Sequence, residues 1–284
     1  MSVSKLDPAI RRQYEAFRDQ GYVLIDNALE GFDLNEVRGA FEQARTATQP
    51  GWKDMVASGV FKGGYGHGPD AHSIEDPYLF HRCFLDIADN PSTRDLMRAI
   101  IGPGMQMTET FAHIHHAHSN PHTDWHRDWP TYRHPRYALK AKAFYYLDDQ
   151  TPDMGCFALV PGSHLNDDFP PHKDYVGEQL EAMPGMIKIV PNAGTALIWD
   201  VTLWHSATAN TSDQDRRMLI YGYQPFWVKN WESTTPPVQA IEWADTPERR
   251  QLMGIHAVDG RAAWDRQDVA YLPEHEALTK AKVI

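Results

Sequence analysis

Cysteine is scarce in this chain: only Cys83 and Cys156 occur in 284 residues. They lie far apart and without metal-type spacing, so neither a disulfide framework nor a zinc site is expected, and a reducing interior suits them. No run of eighteen apolar residues exists, which excludes a conventional membrane-spanning helix, and Met1 to Arg12 lacks the apolar core that a signal peptide needs. Positive charge is in deficit. Lys and Arg number 27 against 38 Asp and Glu, for a formal charge of -11. That balance argues against nonspecific nucleic-acid or anionic-membrane binding, both of which need a cationic surface. The expectation is a soluble, cytoplasmic protein.

Histidine, by contrast, is plentiful, at fifteen residues. The stretch that organises the chain is Trp125-His126-Arg127-Asp128. On an extended segment, side chains alternate, so His126 and Asp128 point to the same side of the backbone. A third ligand from elsewhere would complete a face around a metal, and His205 in Trp204-His205-Ser206 is the candidate. Two histidines and one carboxylate form the ligand set of non-haem Fe(II) oxygenases, which leaves positions open for co-substrate and dioxygen. His-x-Asp alone is a weak signal, because a second pair, His122-Thr123-Asp124, sits just upstream and a polar loop accounts for either.

The pattern around this stretch divides the chain. Asp7 to Asp19 carries Ile10, Tyr14 and Phe17 at helical spacing, Gly21 ends that helix, and Tyr22 to Ile25 reads as a short buried strand. Asp33 opens a second helix. Gly51 to Pro77 has no periodicity and reads as an irregular loop, either a lid or a plain surface loop. Helix returns from Pro77 to Ile101 and closes at Gly102-Pro103-Gly104. Strand-like segments follow: Met105 to His118, Leu139 to Leu147, Gly155 to Val160, Met186 to Val190, Thr195 to Trp199 and Arg216 to Tyr223. The expected architecture is mainly β with flanking helices, a sandwich or barrel in a single domain over 1-284. Within it, 1-104 is a mostly helical scaffold, 105-228 the β core and 229-284 a C-terminal extension that covers the core or meets a partner. His113, His115, His116 and His118 cluster on one segment, but without acids or thiols beyond Glu109 they read as satisfied or solvent-facing rather than as a second metal site.

Taken together, Trp125-His126-Arg127-Asp128, Tyr146-Leu147-Asp148-Asp149 with Gly155 and Pro161-Gly162-Ser163-His164, and His205 followed by Asn210, Ser212 and Arg216-Arg217 resemble the phytanoyl-CoA dioxygenase family of Fe(II)- and 2-oxoglutarate-dependent oxygenases. Gly21 to Ile25 and Arg249 to Gly254 extend the likeness over most of the chain. The resemblance implies a double-stranded β-helix, or jelly-roll, cupin-like core. It implies Fe(II) held by His126, Asp128 and His205, and Arg216 pairing with the distal carboxylate of 2-oxoglutarate, while Arg217 points the other way. With O2 as the other co-substrate, the implied outcome is succinate, carbon dioxide and hydroxylation of a substrate C-H. The retained carboxylate of Asp128 favours oxygen transfer over the halogenation carried out by relatives that lack it. One departure is the serine after the distal histidine: His205-Ser206-Ala207 replaces a Gly-Ser pattern, so no co-substrate contact is assigned to Ser206.

Substrate residues are less defined. From Trp129 to Leu147 there is no acid, yet Arg133, His134, Arg136, Lys140 and Lys142 occur, so an anionic substrate group could be received by Arg133 or Arg136, with a solvated basic face as the alternative. Trp125, Trp129, Tyr132 and Tyr137 flank the segment and could wall a pocket. Two further readings stay open at this point: an iron oxygenase of the same shape that does not use 2-oxoglutarate, and a jelly-roll protein that only binds a ligand.

Overall fold

The computed structural model describes residues 6-59, 67-120, 123-132, 134, 138-171, 173-228 and 236-255. In chain order the elements are α1 (Pro8–Gln20), β1 (Tyr22–Ile25), α2 (Leu34–Ser58), β2 (His67–Gly68), β3 (Ala71–Glu75), α3 (Cys83–Ala88), α4 (Pro91–Ile101), β4 (Met105–His115), β5 (Thr123–His126), β6 (Ala141–Tyr146), β7 (Phe157–Leu159), β8 (Ile187–Lys188), β9 (Ala196–Asp200), β10 (His205–Ala207), β11 (Arg216–Pro225), α5 (Val238–Trp243) and α6 (Pro247–Leu252). Helix starts follow local chemistry. Asp7, Asp33 and Asn90 each turn a side-chain oxygen onto the unpaired first-turn N-H groups of α1, α2 and α4.

The strands form two antiparallel sheets. The larger runs β1-β9-β6-β11-β4-β3-β2 and the smaller β5-β10-β7-β8. No strand pairing joins the two among the described residues, so the core is an open jelly-roll sandwich rather than a closed barrel. Alternation along the central strands decides what each face does. Tyr145 of β6, Ile198 of β9 and Leu219 and Tyr221 of β11 turn outward, where Phe17, Phe41, Phe84 and Leu96 of the helices cover them. Their sequence neighbours Phe144, Tyr146, Leu197, Trp199 and Met218 turn inward against Phe157 and Leu159 of β7. Both faces of the large sheet are therefore covered.

Two sequence expectations change. Residues 51-58 are not irregular: α2 continues through Pro50-Gly51, a dipeptide that reads as a break. Its last turns are held down by Trp52, whose Nε1 donates to the Ala71 carbonyl at 3.0 Å and whose ring stacks on His72. Residues 67-75, also read as loop, form the edge hairpin β2-β3. Residues 60-66, the remainder of that stretch, lie outside the described residues. The second change concerns the boundary near residue 104, because β1 and the β2-β3 hairpin supply both edges of the large sheet from the N-terminal portion.

Candidate metal and co-substrate site

β5 and β10 lie side by side in the small sheet, and their register places His205 directly opposite His126. Directly opposed side chains on one face meet, and the two imidazole rings stand 4.1 Å apart between centroids. Each ring is oriented in the same way. His126 Nδ1 lies 2.6 Å from the Asp124 carbonyl and His205 Nδ1 lies 2.9 Å from that of Leu203. A carbonyl can only accept, so Nδ1 carries the proton in both rings and Nε2 presents its lone pair. Asp128 sits just past β5, its backbone N-H tied to the Val201 carbonyl at 2.8 Å. Its Oδ1 faces His126 Nε2 at 3.5 Å and His205 Nε2 at 3.6 Å.

The ligand atoms of these three residues all fall within 4.8 Å of one another, and they are the one such group among the described residues. The electrostatics suit a cation. His205 is buried, and burial first, then the neighbouring His126, push its pKa down so that the ring stays neutral. Burial raises the pKa of Asp128, but the Lys142 ammonium outweighs that and holds the carboxyl well below its usual range. The neighbours of His205 are aromatic: Trp199 and Phe157 stand 4.5 and 5.3 Å from its ring.

Arg216 opens β11 on the inward face and pairs in register with His115 of β4. It is 2% exposed. Burial depresses its pKa, with Tyr146 and Cys156 the polar neighbours that partly compensate. Its Nε and Nη1, like the Tyr146 hydroxyl, find no hydrogen-bond partner among the described residues. A buried guanidinium without an acid is costly unless something fills the space before it, and an incoming carboxylate fits a planar fork of this kind. Arg217 takes the other face, as alternation demands, and grips Asp148 through two nitrogens at 2.7 and 2.8 Å with Glu42 at 2.9 Å.

The remaining expectations sort themselves by face. Trp125 is not a pocket wall: alternating with His126, it packs outside the small sheet with Ala158 and Met183 and donates to the Leu180 carbonyl. Asp124 of the upstream pair is exposed, and His122 lies outside the described residues. Trp129 and Tyr132 are exposed, at 46% and 70%, and meet edge to face at 6.1 Å. Arg133, Arg136 and Tyr137 lie outside the described residues. Lys140 and Lys142 are not a solvated basic face but largely buried ion-pair partners of Glu109 and Asp128. The histidine cluster is only partly satisfied: Ser73 meets His113 at 2.7 Å, Asp213 meets His118 at 2.8 Å and Asp215 lies 3.5 Å from His116, whereas neither ring nitrogen of the buried His115 finds a hydrogen-bond partner among the described residues. Ser206, on the outward face, bonds the Thr123 carbonyl and so ties β10 to β5. Sequence reasoning missed Glu109 and Tyr146 as residues of this interior. Gly222, a glycine within a strand, was the available signal for Glu109.

Comparison with known proteins bears on the fold and the family. Rv1501 of Mycobacterium tuberculosis, an uncharacterized protein, is 34% identical over 134 residues, which are 47% of this chain and 46% of that protein. A probable alpha-ketoglutarate-dependent hypophosphite dioxygenase of Stutzerimonas stutzeri is 24% identical over 162 residues, 53% of this chain and 56% of its own. The chain thus spans about half the length of these relatives. In fold it is similar to HygX from Streptomyces hygroscopicus, solved with nickel, 2-oxoglutarate and hygromycin B bound, at 18% identity and a TM-score of 0.57 over 90% of this chain and 98% of that one. Residues 17–218 match the family model of phytanoyl-CoA dioxygenase (PhyH), and the chain belongs to that family of Fe(II)- and 2-oxoglutarate-dependent oxygenases.

Proposed function

We propose that the protein oxidises an unactivated C-H bond of a small organic molecule, with Fe(II) held by His126, Asp128 and His205 and the distal carboxylate of 2-oxoglutarate held by Arg216. The observation that carries this reading is a conjunction inside one sandwich. Two Nε2-presenting histidines and a carboxylate stand on the small sheet, and a buried guanidinium without an acid partner among the described residues stands on the large one. A protein that only bound a ligand would need one of these features, not both.

When bound, iron and 2-oxoglutarate supply the oxidising chemistry, with O2 consumed and succinate and carbon dioxide released. The chain supplies position and dryness. Backbone carbonyls fix both imidazole tautomers, Trp199 and Phe157 keep water from the back of His205, and Arg216 sets the direction of the co-substrate. HygX and the hypophosphite dioxygenase, whose names give hygromycin B and hypophosphite, support a small-molecule substrate and nothing narrower. The exposed Trp129 and Tyr132, which directly follow the ligand segment, are proposed to meet that substrate. Arg133 and Arg136 are proposed to receive an anionic group if it carries one. The whole chain is read as one oxygenase domain in which 105-228 carries the ligands.

The test is anaerobic titration of metal-free protein with Fe(II) and then 2-oxoglutarate, following the weak visible charge-transfer band of the chelate. The expected band vanishes in His126→Ala and weakens in Arg216→Ala. A folded wild-type protein that binds iron but gives no band moves the reading to an iron oxygenase without 2-oxoglutarate. One that binds no iron leaves a ligand-binding jelly roll.

A further inference from the structure

The two oxygens of Asp128 are treated differently by the fold. Oδ1 faces the two histidine Nε2 atoms, whereas Oδ2 accepts a hydrogen bond from Lys142 Nζ at 2.7 Å. Lys142 comes from the opposite sheet. It lies on β6, on the inward face shared with Phe144 and Tyr146, and reaches across the sandwich to the residue that follows β5. Its ammonium also pairs with Glu109 Oε1 at 2.9 Å, and Glu109 Oε2 accepts from Lys140 Nζ at 3.0 Å. Two ammonium groups and two carboxylates thus form one largely buried, charge-balanced row.

The row depends on an absent side chain. Glu109 belongs to β4 and the lysines to β6 or its approach, with β11 lying between those strands. Glu109 crosses β11 at Gly222, where an added Cβ would stand 2.6 Å from Glu109 Cγ and 2.8 Å from Oε1. Glycine at this register position lets the carboxylate lie across the strand and brace Lys142 from behind. Lys142 is held on both sides, by Glu109 and by Asp128, and so has little freedom to turn away.

We propose that Lys142, braced by Glu109, is a positioning residue that confines Asp128 to ligation through Oδ1 alone. The proposal rests on the metal reading of His126, Asp128 and His205 given above. A free carboxylate can bind a metal through one oxygen or two. Two-oxygen binding would occupy a further coordination position and leave too few for a chelating 2-oxo acid and dioxygen together. Engaging Oδ2 with an ammonium removes that choice and fixes the carboxylate before the metal arrives. Partners that orient metal ligands in this way typically contribute about 10- to 100-fold in metal affinity. Coulomb repulsion acts in the opposite sense, because an ammonium beside a dication weakens binding. The sign of the effect therefore separates positioning from simple charge.

Co(II) is the probe, since its visible spectrum reports coordination without turnover. Anaerobic Co(II) titrations of the wild type, Lys142→Met and Lys142→Arg give dissociation constants and spectra. The expected result is about 10- to 100-fold weaker binding and an altered spectrum in Lys142→Met, with both restored by the cationic donor in Lys142→Arg. Unchanged or tighter binding by folded Lys142→Met, with the wild-type spectrum, overturns the proposal. A crystal structure of the Co(II)-loaded wild type decides the matter even if Lys142→Met does not fold: Asp128 ligating through Oδ1 with Lys142 on Oδ2 supports the proposal, and both oxygens on the metal refute it. A wild type that takes up no Co(II), or takes it up equally well as His126→Ala, sinks the metal reading itself and this proposal with it, a result recognisable because it appears without touching Lys142.

Discussion

Replacing Arg216 by methionine should raise the stability of the metal-free protein while abolishing its response to 2-oxoglutarate. The guanidinium is 2% exposed, two of its nitrogens lack partners among the described residues, and arginine cannot shed its proton to escape the cost. Substituting apolar side chains of similar volume for buried ionic groups is often stabilising, by about 1-4 kcal/mol, and flexible methionine fills irregular space well. For a protein of this size that corresponds to a rise in Tm of roughly 2-4 °C for each kcal/mol. Co-substrate reverses the order. At about a hundred times its Kd, 2-oxoglutarate stabilises the wild type by about 2.7 kcal/mol. Losing two charge-assisted hydrogen bonds, each of about 1.5-3 kcal/mol, should weaken binding to Arg216→Met by roughly 100-fold or more. The assay is urea unfolding of both proteins, metal-free and then loaded with Mn(II) under nitrogen, with and without 2-oxoglutarate. An Arg216→Met protein that is destabilised by 2 kcal/mol or more without co-substrate would falsify the idea that Arg216 awaits a ligand, since its charge would then be satisfied by the fold. Equal stabilisation of both proteins by 2-oxoglutarate would refute the assignment of the carboxylate to this arginine.

Gly222→Ala should be among the most damaging small substitutions in the large sheet, because the new methyl group displaces Glu109 from both lysines. Crowding of this kind costs about 1-3 kcal/mol and breaking a buried ion pair about 3-5 kcal/mol. A combined loss of about 4-8 kcal/mol is expected in the unfolding free energy from urea titration, and a change within about 0.5 kcal/mol would show that Glu109 does not cross there. Acid sensitivity should trace to His115. Burial first, then the charge of Arg216, push its pKa down to about 2, while in the unfolded chain it titrates near its ordinary value of about 6.5. Between those values the unfolded state binds more protons, so stability falls as pH drops, by up to about 1.4 kcal/mol per unit, and above 6.5 the effect disappears. His115→Gln should remove about one proton's worth of that slope in metal-free protein between pH 6 and 4; an unaltered slope would mean that His115 is already charged in the native state.

What the sequence revealed depended on how local the physics was. The short-range alternation of strands was enough to bring His126 beside Asp128 and to send Arg216 and Arg217 to opposite faces, and both arrangements hold in the structure. The same rule, applied one residue earlier, already excluded Trp125 from the face that carries His126, since a neighbour of His126 on a strand must face away from it. His205 could be placed only through the order and spacing of the family's motifs, because no local pattern reveals which distant strand lies alongside β5. The irregular reading of 51-58 failed for a related reason. Pro50-Gly51 is a local breaker, but the helix continues because Trp52 finds partners on β3.

The lysines are the most instructive case. Ala141-Lys142-Ala143-Phe144-Tyr145-Tyr146 alternates small or aromatic residues with a lysine on the second face, which in a sheet with one wet side would send Lys142 to water. This sheet has no wet side at its centre. Helices take up Ala141, Ala143 and Tyr145, and the small sheet closes over Lys142, Phe144 and Tyr146. A lysine forced inward must be paired, and its acids come from β4 and from the segment after β5. A count of charges along the chain cannot see such cross-strand partners, which is why 129-147 looked like an unopposed basic stretch. Once both faces of a strand are known to be covered, a lysine on it points to a buried carboxylate nearby. Here that carboxylate is Asp128, so the interior lysine marks the candidate metal site from the side opposite His126 and His205.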